Sequence, residues 1–121
     1  MARLIELPTF SDERGSLTVI ESFSEFNIKR IYYIYNVYGL RGGHRHKKTK
    51  QGLICLSGSC EIYVNDGNVK QTFKIDSANK CLLIEAKDWH TMDNFSENAV
   101  LLVLASEYYN KEDYIDDPYN N

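Results

Sequence analysis

Apolar residues along this chain recur in short bursts, and clusters of Gly, Asn, Asp and Ser separate one burst from the next. Short runs rich in Val, Ile, Leu and Tyr with such punctuation read as β-strands. The pattern predicts strands near Leu17–Glu21, Ile28–Asn36, Gly52–Leu56, Cys60–Asn65, Val69–Ile75, Lys80–Glu85 and Val100–Ser106. In Cys60-Glu61-Ile62-Tyr63-Val64-Asn65 apolar and polar residues alternate, so one face meets a core and the other meets water. Asp66-Gly67 follows at once and suits a tight turn with positive φ, which makes Cys60–Ile75 a hairpin. No long segment sustains a helical apolar period. The best helical candidate is Lys111–Ile115, where Asn110 is placed to cap and Glu112 and Asp113 to complement the helix N-terminus. The tail from Asp116 to Asn121 is expected to fray. Many short strands at this spacing point to an all-β antiparallel sandwich or barrel with little helix.

Composition narrows the function classes. With 121 residues, 43% hydrophobic and 26% charged, the chain suits one domain spanning residues 1–121. A formal net charge of −3 gives no general attraction to nucleic acid or an anionic membrane, so neither is expected as a partner. Any anionic ligand must be held by a local basic cluster. Arg3, Glu6 and Pro8 interrupt the first ten residues, leaving no apolar run suited to a signal peptide or a membrane span, and a cytoplasmic location is expected. Cys55, Cys60 and Cys81 lie in apolar stretches without Cys-x-x-Cys spacing, the pattern of buried free thiols.

The stretch richest in chemistry is Arg41-Gly42-Gly43-His44-Arg45-His46-Lys47-Lys48. On an extended backbone His44 and His46 point to the same side, and the paired glycines leave room for a ligand or a neighbouring backbone. An isolated His-x-His is as readily a pair of exposed polar residues. The residues that follow change that balance: His44-x-His46, then Gln51 and Gly58, resembles the first signature of the cupin barrels, with Gln51 where that signature carries Glu. His90 followed by Asn94 resembles the end of the second signature, with Glu85-Ala86-Lys87-Asp88 in place of its Pro-x-Gly. Three histidines at such positions suit Zn²⁺ or Fe²⁺, but a neutral Gln51 removes ligand charge. The expectation is therefore no metal and no cofactor, with imidazoles acting as proton-transfer groups near neutral pH.

Arg14-Gly15-Ser16-Leu17, Ile28-Lys29-Arg30, Tyr32-Tyr33-Ile34, Arg41, His44-x-His46-Lys47-Lys48, Gly58-Ser59-Cys60, Trp89-His90-x-Met92 and Leu104-Ala105-Ser106-x-Tyr108-Tyr109 together resemble the sugar-nucleotide 3,4-ketoisomerases, including their WxcM-like members. The resemblance implies a cupin-type, RmlC-like antiparallel β-barrel or jelly roll, a homodimer, and a dTDP-linked 4-keto-6-deoxyglucose as substrate, with no metal required. It also implies His44 as the base that removes the C3 proton. His46 would tune or orient that base, and His90 would donate or relay the C4 proton and so influence the configuration there. Arg14 and Arg41 are candidates for the diphosphate. Tyr32, Lys48, Gln51 and Trp89 complete the candidate substrate-binding set. For several of these a plainer role stays open: Lys47 and Lys48 as rim charges, Arg14 as an ion-paired surface residue, Trp89 as core packing. Which of Tyr32, Tyr33 and Tyr35 faces inward is also open, since they alternate across both faces of one strand. Two other function classes use the same pocket: a sugar-nucleotide epimerase, and a non-catalytic sugar-nucleotide-binding cupin.

Overall fold

The strands β1 (Arg3–Glu6), β2 (Thr9–Asp12), β3 (Gly15–Thr18), β4 (Arg30–Tyr35), β5 (Arg41–His46), β6 (Gln51–Ser57), β7 (Cys60–Asn65), β8 (Lys70–Ile75), β9 (Lys80–Ile84), β10 (Trp89–Asp93), β11 (Val100–Ala105) and β12 (Tyr114–Ile115) follow one another in a computed structural model that describes residues 1–119. Two sheets carry the fold, one in the order β1-β9-β6-β11-β4 and the other in the order β12-β5-β10-β7-β8, with β2 and β3 forming a separate hairpin. Neighbouring strands are antiparallel throughout these ladders. Their inner faces meet: Leu53, Cys55, Leu82, Ile84, Leu101 and Val103 of the first sheet join Cys60, Ile62, Val64, Ile75 and Met92 of the second in one core. The all-β antiparallel architecture expected from the sequence is thus the one observed.

The first sheet is covered on its outer face as well. Ile54, Cys81, Leu83 and Leu104 point outward beneath Leu7, and Phe23, Phe26 and Ile28 from the segment before β4 pack over them. This second layer explains why β6 and β9 read as continuous apolar runs rather than alternating ones. All three cysteines are free and buried, as expected.

The hairpin from β7 to β8 runs where the sequence places it, and the Asp66 carboxylate accepts from the backbone N–H groups of Asn68 and Val69 to close its turn. Five strands lie outside the segments that the sequence pattern predicts: β1, β2, β5, β10 and β12, with β5 anticipated only as the extended backbone that carries His44 and His46. β2 has little apolar contact to signal it, and β10 mixes inward His90 and Met92 with polar neighbours. The helical candidate shrinks to a 3-10 turn over Lys111–Asp113, with Asn110 capping it through a hydrogen bond from the Glu112 N–H. Tyr114 and Ile115 pair instead with β5.

The expected fraying of the tail is corrected for residues 116–119. The Trp89 indole donates to the Asp116 carbonyl at 3.1 Å, the Tyr119 hydroxyl donates to the Lys87 carbonyl at 2.9 Å, and Arg45 reaches the Asp117 carbonyl. These contacts strap the segment across β5 and β10. Asn120 and Asn121 lie outside the described residues.

Candidate active site

β5 contains no large apolar residue, so its place in the barrel is set by its neighbours. It pairs with β10, His44 opposite His90, and on its other side with β12, Tyr114 opposite His46. Gly42 and Gly43 both have φ of 86°. A Cβ built on Gly42 would lie 3.0 Å from the His90 carbonyl oxygen and 3.2 Å from the Thr91 Cα. The glycine therefore lets β5 close onto β10 where the register shifts between His90 and Thr91. Gly42→Ala is expected to cost about 1–3 kcal/mol of stability and to lower activity, read by thermal melting beside a turnover assay. A melting curve and turnover like those of the natural chain would show that the close approach is not required.

The three imidazoles form one cluster. The His44 ring centroid lies 5.0 Å from that of His46 and 5.1 Å from that of His90, and the Tyr114 ring lies 4.7 Å from His44 and 4.6 Å from His46. His44 is partly exposed, whereas His46 and His90 are buried. The Nδ1 of His46 is 2.9 Å from an Asp113 carboxylate oxygen, and the Nδ1 of His90 is 3.0 Å from the Asp88 carbonyl. A carboxylate and a carbonyl only accept, so both Nδ1 atoms carry the hydrogen and both Nε2 atoms present lone pairs. Neither Nε2 has a hydrogen-bond partner among the described residues. Asp113 is itself fixed, accepting from the Thr49 hydroxyl and from the backbone N–H groups of Lys48 and Thr49.

The electrostatics keep this cluster neutral. Burial, followed by the neighbouring His46, holds the His44 pKa down to about 4, against a smaller opposing pull from Asp116. Burial likewise depresses His90 to about 4. For His46 burial is again the largest cause, and it outweighs the hydrogen bond to Asp113. Burial alone would raise the Asp113 carboxyl, yet the hydrogen bonds from Thr49, the Lys48 N–H and His46 prevail and bring it down to about 2. The arrangement is an ionised carboxylate holding a neutral imidazole, with a partly exposed neutral imidazole in front of it. Among the described residues no set of three or more His, Cys, Asp or Glu side chains is arranged to hold a metal ion.

His44 lines a cavity of about 330 Å³ between the sheets, together with Arg41, Gly42, Met92 and Tyr114. Arg30, Tyr32 and Ile34 of β4 line the same cavity from the other sheet. An imidazole on one wall thus faces a phenol and a guanidinium on the other.

The sequence model of the FdtA family, described as WxcM-like, C-terminal, matches residues 1–121. The chain belongs to this family. It is 44% identical over 117 residues to a TDP-4-oxo-6-deoxy-alpha-D-glucose-3,4-oxoisomerase from Aneurinibacillus thermoaerophilus, a match covering 93% of this chain and 84% of that protein. The fold is similar to the crystal structure of a 3,4-ketoisomerase from Helicobacter canadensis, with a TM-score of 0.90 and 43% identity over 96% of this chain and 90% of that one. It is also similar to a mutant 3,4-ketoisomerase from Thermoanaerobacterium thermosaccharolyticum in complex with TDP-4-keto-6-deoxyglucose, with a TM-score of 0.91 and 40% identity over 96% of this chain and 87% of that one.

Within this member of the FdtA family the site residues expected from sequence divide into two groups. His44, His46, His90, Arg41, Tyr32 and Gln51 gather in or behind the cavity. Arg14, Lys48 and Trp89 do not line it. Arg14 sits on the β2–β3 hairpin, ion-paired with Asp12 at 2.6 Å and 84% exposed, beside a separate surface groove. Lys48 directs its side chain to solvent, and its backbone N–H meets Asp113. Trp89 has the opposite parity to His90 on β10 and packs near Tyr63 while donating to Asp116. Its ring does not line this cavity.

Asp113, Tyr114 and Arg30 belong to the site without having been assigned a part in it from sequence. Asp113 was read as a helix-terminus charge, and nothing in the local pattern signals a partner 67 positions away. Arg30 carried one available signal: it shares parity with Tyr32 on β4.

Proposed function

We propose that the chain is an isomerase that moves the ketone of a TDP-linked 4-keto-6-deoxyhexose from C4 to C3 in deoxysugar biosynthesis. The observation that carries this reading is the pairing across one cavity of a neutral, partly exposed His44 with the donors Tyr32 and Arg30, with Arg41 on the His44 side. The names of the relatives supply the substrate class.

The chemistry follows from the geometry. The C4 ketone acidifies the hydrogen on C3, and His44 takes that proton to leave an enediolate over O3 and O4. Reprotonation at C4 with loss of the O3 proton yields the 3-ketone, an internal redox change that needs no external oxidant or reductant. His46 and His90, each with Nδ1–H engaged, turn Nε2 lone pairs to the interior, and His90 acts as a relay behind His44 rather than by touching the sugar. A base held near pKa 4 is weak, so the enediolate must be well stabilised. That demand falls on Tyr32 and Arg30. Arg41, exposed on β5 and lining the cavity, is the candidate for the diphosphate, a reading its guanidinium fork supports.

Incubation with TDP-4-keto-6-deoxyglucose in deuterated water tests the proposal. Formation of the 3-ketosugar with deuterium at C4 is expected. Exchange with inversion at C3 or C5 would identify an epimerase, and no exchange at all would leave a binding protein.

The pH profile gives a separate expectation. The folded His44 pKa lies below its ordinary value of 6.5, so the active neutral form persists as pH falls through 6.5 and is lost only near pH 4. The kcat/KM profile is expected to stay flat from pH 8 to about pH 5.5 and to drop about tenfold per unit below pH 4. An acid limb centred at pH 6.5 would contradict a desolvated base.

We further propose that this single domain works in the cytoplasm as a homodimer. Edge strand β4 exposes Ile31, Tyr33 and Tyr35 along one face, the kind of apolar edge that a second chain covers. Light scattering is expected to return twice the chain mass.

A further inference from the structure

Gln51 is 1% exposed at the start of β6, and its Nε2 lies 3.0 Å from the Tyr32 hydroxyl oxygen. The same hydroxyl meets no other hydrogen-bond partner among the described residues, and the Gln51 Oε1 has none either. A phenol oxygen carries one hydrogen. If the amide donates to that oxygen, the hydrogen is directed away from the amide, and the space Tyr32 faces is the cavity shared with His44. Arg30 holds the ring from a second side, its guanidinium carbon 5.0 Å from the Tyr32 centroid and 5.5 Å from that of Tyr109.

We propose that Gln51 is a positioning residue: its amide occupies the acceptor side of the Tyr32 oxygen and thereby aims the phenolic hydrogen at the sugar oxygen that becomes negative in the enediolate. The inference rests on the ketoisomerase reading. Burial raises the Tyr32 pKa above its ordinary value of 10, so the phenol keeps its hydrogen at neutral pH. Hydrogen-bond donors preset toward developing charge contribute more to rate than to ground-state binding. A carboxylate at the same position would do the reverse, accepting the phenolic hydrogen and turning it from the cavity.

Kinetics of Gln51→Glu, Gln51→Met, Tyr32→Phe and the Gln51→Met/Tyr32→Phe double variant test this. Gln51→Glu and Gln51→Met are each expected to lower kcat by on the order of 10- to 100-fold while KM changes by less than about threefold. The double variant is expected to match Tyr32→Phe alone, because both changes remove one interaction. Losses that multiply in the double variant, or Gln51 variants with full kcat, would overturn the inference while leaving the isomerase reading in place.

A measurement on the resting protein keeps the two readings apart. With ¹³C-labelled tyrosine, the Tyr32 Cζ resonance is assigned by its disappearance in Tyr32→Phe. It is expected to shift in Gln51→Met at neutral pH, whether or not any sugar is turned over. An unmoved resonance would show that the amide does not donate to the phenol.

Discussion

Exchanging His44 for Asn is expected to lower turnover by on the order of 10²–10⁴-fold while the folded chain and its affinity for the TDP-sugar persist. The partly exposed His44 imidazole makes no side-chain hydrogen bond with the described residues and lines the cavity, so its lone pair is free for a substrate proton. Asn keeps size and polarity but cannot accept a proton at neutral pH. The closest alternatives, His46 and His90, are buried and lie behind it. Steady-state kinetics and equilibrium binding on the same preparation separate the two effects. Turnover within a few-fold of the natural chain would relegate His44 to structure.

Asp113 should show the second large effect, and its two variants should part company. Removing the carboxylate in Asp113→Ala strips partners from the His46 Nδ1, the Thr49 hydroxyl and two backbone N–H groups at once. Buried donors left unpaired cost about 1–3 kcal/mol each, with partial relief where water enters, so a loss of about 3 kcal/mol and a melting point lower by roughly 10 °C are expected. Asp113→Asn keeps the shape, but its amide can present an N–H to His46. The ring then takes the opposite tautomer, and its Nε2 lone pair is lost to the cluster. Asp113→Asn is therefore expected to melt within a few degrees of the natural chain while turning over about 10- to 100-fold more slowly. Full activity in that variant would show that the His46 tautomer is immaterial.

Much of this site could be read before any coordinate was known, and the reasons are local. The spacing of His44 and His46 alone places both rings on one side of a strand, because side chains two apart on extended backbone share a face. Their two rings do lie 5.0 Å apart. The hairpin from Cys60 to Ile75 was equally legible, since strict alternation and Asp66-Gly67 act over a few residues. Other placements have no local cause in the sequence. Trp89 and His90 are adjacent in sequence, and only the side of β10 that faces the barrel decides that His90 joins the cluster while Trp89 holds the C-terminal strap. Lys48 belongs to the candidate substrate-binding set with a rim charge as its plainer role, and in the fold its backbone N–H supports Asp113 while its side chain is exposed. The tail through Tyr119 has a loop-like composition, yet it docks because distant carbonyls and an indole meet it.

By itself, the sequence determined the all-β class, the turn between β7 and β8, the free buried thiols and the facing of His44 with His46, because each rests on periodicity or composition within a few residues. The resemblance of its motifs added the family. Only the tertiary structure decided which tyrosine of β4 faces His44, that Gln51 meets Tyr32, and that Asp113 fixes His46 across 67 residues. Those outcomes depend on strand register and on the approach of two sheets, and hydrogen bonds formed between segments remote in the chain leave no periodic trace in the sequence that makes them.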